Sequence, residues 1–175
     1  MQPKKNHKTL LAKAYEVVHK TEAPYYYNYT IGTIIIKPIR KWLNVSIIPY
    51  IPFNNIRIAL YKLLGYKIGK NCFIGMRCYL DDMCYNLITI GNNVTISYGV
   101  YFACHGINQT HNHIVISDGA YIGMRATIIA PDSKGVCIGK NAIVGAMTLV
   151  NKDVPMGSTA VGVPCKIIDK SNNTK

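Results

Sequence analysis

From Ile68 onward an aliphatic residue recurs every six positions. IGKNCF, IGMRCY and LDDMCY follow one another from Ile68. IGNNVT and ISYGVY run from Ile90, ISDGAY and IGMRAT from Ile116, and IGKNAI and VGAMTL from Ile138. The second place of each hexad is usually Gly or Ser, and the fifth is Cys, Val, Ala or Thr. A period of six joins one short strand to one corner. The first residue fills a narrow interior, and the fifth must be small because it points inward beside the turn. Gly, Asn and Asp between them tolerate the positive φ that tight corners need. Three such units close a triangular coil. Cys72, Cys78 and Cys84 occupy fifth places and are expected to be small core residues.

The breaks in the period locate the exposed loops. Coils restart at 68, 90, 116 and 138, which are 22, 26 and 22 residues apart. A coil of three hexads uses eighteen, so inserts of 4, 8 and 4 residues remain. Each follows the opening of a third hexad, so all three should project from one side of the stack, as functional loops of repeat proteins often do. The longest lies in FACHGINQTHNHIVIS and holds His105, His111 and His113.

The first 65 residues lack hexads. TLLAKAYEVVHK and NNIRIALYKLLG have the apolar spacing of helices. The stretch between them mixes aromatic, basic and aliphatic residues and receives no element. We divide the chain into an N-terminal cap with helices (1–65), a repeat domain (66–168) and a C-terminal tail (169–175).

Composition narrows the choices. Of 175 residues, 49% are hydrophobic, enough for a packed core. The net charge of +12 favours an anionic partner: a nucleic acid, a membrane surface or a phosphorylated small molecule. No run reaches the roughly 18 apolar residues of a membrane span, and the N-terminus lacks the pattern of a secretory signal. A cytoplasmic location is expected. The six cysteines form no CxxC, so a zinc ribbon is not indicated. GYKIGKN and GVCIGKN lack P-loop spacing and read as corners.

A dozen hexads in register resemble the hexapeptide-repeat acyltransferases, whose fold is a left-handed parallel β-helix. This handedness departs from the usual crossover rule. The resemblance covers about Ile68 to Ile168. It is greatest toward the galactoside, maltose and surface-polysaccharide acetyltransferases, notably in VNKDVPMGSTAVGVPCKII. It implies an all-β repeat domain with an N-terminal cap, acetyl-CoA as acyl donor, a sugar or glycan acceptor, no metal, no nucleic acid, and a homotrimer.

The resemblance also implies roles for particular residues. YFACHG places His105 as the general base. An imidazole suits this task because its ordinary pKa of about 6.5 lies near neutrality. Asp81 and Asp82, one coil earlier in YLDDMCY, stand where relatives bind sugar hydroxyls. His111 and His113 are expected to line the acceptor pocket or to face solvent. Relatives carry an asparagine in the hexad before; here Gly75 and Arg77 stand in its place, so Arg77 is an acceptor candidate and the acceptor differs from a simple galactoside. On the donor side, YIGMRAT points to Tyr121, Gly123 and Met124, the last two as backbone donors toward the thioester oxygen. GAMTLVNKDVP points to Ala146, Asn151 and Lys152, with Met147 where relatives have Gly. Lys166 matches a basic residue that meets nucleotide phosphates.

Three readings stand beside O-acetylation. One is N-acetylation of an amino sugar. Another is a metal-dependent protein like the gamma-class carbonic anhydrases, whose histidine spacing this chain does not reproduce. The third is an inactive scaffold. For the front third, packing across the open end of the helix is the first expectation. Peripheral contact at the inner face of the membrane is the second, on Trp42, the tyrosines and the local cations.

Overall fold

The computed structural model describes residues 8–24, 27, 31–105 and 110–168. The expected tail at 169–175 and part of the longest insert, 106–109, lie outside these. The chain forms two compact units, Met1–Lys41 and Trp42–Lys175.

In the first unit, helix α1 (Leu10–His19) starts at Thr9, whose hydroxyl accepts the Ala12 N–H at 3.2 Å. It ends at Lys20 in the left-handed region. Helix α2 (Ile31–Trp42) forms in the stretch to which the sequence assigned no element. Its run of β-branched isoleucines and Pro38 disfavours a helix locally, while the spacing of Ile35, Ile39 and Trp42 fits one apolar face.

The second unit is a left-handed parallel β-helix of about four turns. Coil 1 contains β1 (Lys67–Ile68) and β2 (Phe73–Ile74). Coil 2 contains β3 (Ile88–Ile90), β4 (Thr95–Ile96) and β5 (Tyr101–Ala103). Coil 3 contains β6 (Ile114–Ile116), β7 (Tyr121–Ile122) and β8 (Thr127–Ile129). Coil 4 contains β9 (Val136–Ile138), β10 (Ile143–Val144) and β11 (Leu149–Val150), and β12 (Thr159–Val161) and β13 (Lys166–Ile168) follow. The first sheet has the order β1-β3-β6-β9. The second is β2-β4-β7-β10-β12, closed by antiparallel β13, and the third is β5-β8-β11.

The register follows the hexads. Ile68 pairs with Ile90, Ile90 with Ile116, and Ile116 with Ile138. These first-position residues and their counterparts in the other sheets fill one continuous core. Cys72, Cys78 and Cys84 are buried in it as free thiols. Burial pushes the Cys78 and Cys84 thiols up to about 11. The fourth position of the regular hexads is a left-handed corner: Asn71, Arg77, Asn93, Gly99, Gly119, Arg125, Asn141 and Met147 all have positive φ. Asn and Gly adopt this readily; Arg and Met do so at a steric cost.

Coil 1 would present bare strand edges without residues 42–66. Helix α3 (Asn54–Leu63) lies against β2. The Asn54 side chain donates to the Cys72 carbonyl and accepts the Ile74 N–H, both at 3.0 Å. Buried Arg57 donates from Nε to the Ile74 carbonyl at 3.0 Å and from Nη1 to the Ile51 carbonyl. Asn44 donates to the Leu80 carbonyl at 2.7 Å.

Two substitutions here should act in opposite directions. Arg57→Ala strips charge-assisted bonds from buried carbonyls and is expected to cost about 3 kcal/mol. The Tyr61 hydroxyl is buried with no hydrogen-bond partner among the described residues. Tyr61→Phe is therefore expected to add about 1 kcal/mol. Urea melts of both variants check the pair.

Candidate active site

The three inserts leave the same corner, after β5 and β8 in coils 2 and 3 and after the Tyr79 bridge to Tyr101 in coil 1. In coil 1 the chain departs from the hexad at Asp81. Its carboxyl turns inward and is fully buried. Oδ1 accepts the N–H groups of Met83 (3.0 Å) and Cys84 (3.3 Å), and Oδ2 accepts the Cys104 N–H from the coil above at 2.8 Å. The same Oδ2 lies 3.0 Å from His105 Nδ1. With Nδ1–H donating to Asp81, the imidazole keeps its Nε2 lone pair for another partner. The His105 side chain is 32% exposed, so the ring joins a buried carboxyl to the surface. This arrangement can take up a proton at Nε2 while Asp81 holds the ring.

Asp81 thus differs from its expected place. It was read as an acceptor contact, but its oxygens are occupied by the chain's own N–H groups and by His105. Asp82 is half-buried and accepts the Tyr79 hydroxyl at 2.7 Å. Tyr79 stacks on Tyr101 of the next coil, with centroids 4.4 Å apart. Tyr79 was not singled out in the sequence; sharing the outward column with Tyr101 at a spacing of 22 residues was its only signal.

His111 bridges His105 through the backbone, and their rings lie 6.3 Å apart. Its side chain is exposed, as is that of His113, whose carbonyl accepts the Val136 N–H at 2.8 Å. Asn112 anchors this loop to the coil above, donating to the Pro131 carbonyl at 2.7 Å. Cys104 precedes His105 but is no nucleophile: burial first, and Asp81 second, push its thiol far above the usual range. Among the described residues, no three His, Cys, Asp or Glu side chains gather in a metal-holding group.

The donor-side residues form two columns. Gly123, Met124 and Ala146 stack on successive coils at the corner between the second and third strands. A Cβ on Gly123 would lie 2.5 Å from the Ala146 nitrogen, so only glycine permits this approach. The Gly123 N–H donates to the Val144 carbonyl at 2.7 Å. It is committed to the ladder, which removes it as a donor toward a thioester oxygen. The Met124 N–H donates to no backbone carbonyl among the described residues. Tyr121 stands outward on β7, with its hydroxyl 3.2 Å from Ser97 Oγ. Lys166 pairs with Val161 near the same corner, one rung higher.

Asn151 and Lys152 belong to the other column. They follow β11 at the insert corner, two coils above His105. Arg77 lies at the corner before the third strand, where it sits over the rings of Tyr50 and Tyr98 at 5.6 and 5.8 Å. Four residues separate it from Asp81, about 13 Å of extended chain. Within one chain the fold does not bring Arg77, Gly123, Met124 or Ala146 to His105.

Comparison with known proteins assigns this arrangement to a family. The family model "Hexapeptide repeat of succinyl-transferase" matches residues 66–102 and 113–151. The Bacillus subtilis (strain 168) protein named "Putative acetyltransferase YvoF" is 33% identical over 138 residues, covering 76% of this chain and 77% of YvoF. The chain belongs to the hexapeptide-repeat acetyltransferases.

Solved relatives share the fold of this hexapeptide-repeat acetyltransferase. The Vibrio cholerae hexapeptide-repeat acetyltransferase VCA0836 superposes with a TM-score of 0.63 at 25% identity, over 80% of this chain and 93% of that one. Its complex with acetyl coenzyme A gives 0.63 at 24% identity, over 80% of this chain and 89% of that one. A maltose O-acetyltransferase from Clostridium difficile 630 gives 0.62 at 24% identity, over 81% and 89%.

Proposed function

We propose that this acetyltransferase moves an acetyl group from acetyl-CoA to a hydroxyl of a sugar or glycan, with His105 as general base and Asp81 as its positioning partner. The observation that carries the reading is the 3.0 Å contact between a fully buried carboxyl and a half-exposed imidazole at the insert corner of a chain of this family. The acetyl-CoA complex of VCA0836 supports the donor, and the likeness to a maltose O-acetyltransferase supports the acceptor class.

Nε2 of His105 takes the acceptor proton as the hydroxyl oxygen attacks the thioester carbonyl, forming a C–O bond. The tetrahedral oxyanion accepts a backbone N–H, for which Met124 is the candidate. The C–S bond then breaks, and the CoA thiolate receives the proton from the imidazolium. Asp81 fixes the ring's tautomer and stabilises its cationic form. No metal takes part in this sequence. Asp82, His111 and His113 are assigned to the acceptor. Asn151, Lys152 and Lys166 are assigned to the CoA arm and phosphates, with Ala146 and Tyr121 shaping the groove.

His105 and the Met124–Ala146 column stand at different corners of the triangular coil. A second copy related by a threefold axis can set one corner against the other, which supports a homotrimer with shared sites. Use of acetyl-CoA fits a cytoplasmic location.

Thiol release from acetyl-CoA over a panel of neutral sugars, oligosaccharides and amino sugars tests the reading. Turnover with a neutral sugar hydroxyl is expected. Turnover confined to free amines would replace O-acetylation by N-acetylation.

A further inference from the structure

The cations of this chain are unevenly placed. Between Glu22 and Asp81 there are eight Lys and Arg residues and no acid. Helix α2 lies in this stretch and carries Lys37, Arg40 and Lys41. At 3.6 residues per turn, Ile35, Pro38, Ile39 and Trp42 share one face, and the three cations share the opposite one. The apolar face is open to solvent: Ile35 is 57% exposed, Ile39 52% and Trp42 57%, with Ile36 beside it at 62%.

A face of this kind is stable only where its apolar half leaves water and its cationic half keeps counter-charge. Twelve residues span about 18 Å, short of the roughly 30 Å hydrocarbon core, and no described helix is long and apolar enough to cross a membrane. Lying flat in the interfacial plane satisfies both halves. A second copy of α2 would cover the apolar stripe alone, whereas an anionic lipid surface takes the stripe and brings phosphates to the level of the cations.

We propose that α2 is an interfacial anchor for an anionic membrane surface. Ile35, Ile39 and Trp42 enter the boundary between headgroups and acyl chains, and Lys37, Arg40 and Lys41 remain among the lipid phosphates. This goes beyond the acetyl-transfer reading and does not depend on it.

Trp42 is the only tryptophan of the chain, so its emission reports on this face alone. The full-length protein is mixed with phosphatidylcholine vesicles, or with vesicles of roughly two parts phosphatidylcholine to one part phosphatidylglycerol. Trp42 emission should shift to the blue with the anionic vesicles, the protein should float with them, and high salt should reverse both. K37Q/R40Q/K41Q should lower partitioning by about a hundredfold, and I35E/I39E should abolish it. I35E/I39E should keep the thermal transition of the parent, because both replaced side chains lie at the surface. Unchanged emission with no flotation overturns the proposal. Equal binding to neutral vesicles overturns its charge selection. A larger oligomer in lipid-free buffer that I35E/I39E breaks would assign the face to a second copy instead.

Discussion

His105→Ala should lower the rate of acetyl transfer by about 10²–10⁴-fold, the usual contribution of a placed general base. The affinity for acetyl-CoA should change little. The fold should also persist, because Asp81 keeps its bonds from Met83, Cys84 and Cys104 when the imidazole is gone. Steady-state thiol release beside a thermal melt checks both halves. A neutral amine acceptor would need the base less, so a small loss with amino sugars and a large one with hydroxyl acceptors fits the same chemistry. Wild-type rates with hydroxyl acceptors would remove His105 from the reaction.

Asp81→Asn should be nearly as damaging to turnover while leaving the acceptor KM close to the parent's. A carboxamide oxygen can still accept the Met83 and Cys84 N–H groups, but its NH2 then meets the Cys104 N–H and faces His105 Nδ1. That geometry demands the other tautomer and places the proton on Nε2, where the base must be free. A loss on the order of 10²–10⁴-fold in kcat is expected, as for a triad that loses its carboxylate. Asp81→Ala adds a second effect. It leaves three N–H groups buried without an acceptor, at about 1–3 kcal/mol each. Asn should thus lose turnover with the smaller loss of stability, one N–H without its acceptor against three, and Ala should lose both in full. Equal loss of Tm in the two variants, with kcat of Asp81→Asn intact, would make Asp81 purely structural.

The register was legible because a hexad constrains two things at once: an aliphatic residue inside and a permissive residue at the corner. Ile68, Ile90, Ile116 and Ile138 therefore align in the structure as they do in the sequence. The shared corner of the inserts followed from the same counting. Side-chain direction did not, because a chain that leaves the hexad loses the rule that says which residues point inward. Asp81 follows core residue Leu80 and read as an acceptor contact, yet the turn through Met83 and Cys84 supplies N–H groups that draw its carboxyl inside. Gly123 was legible as a corner glycine, but the use of its N–H by Val144 depends on the coil above. Helix α2 was hidden because β-branched residues and Pro38 argue locally against the helix that its amphipathic spacing supports.

Calorimetric titration of acetyl-CoA into the purified protein tests the central claim most directly, because it needs no knowledge of the acceptor. Saturable binding with one site for each chain is expected, weakened when Met124 and Ala146 are replaced together by larger residues and retained in His105→Ala. No heat of binding for the parent protein, at acetyl-CoA concentrations well above those of ordinary substrates, would contradict it.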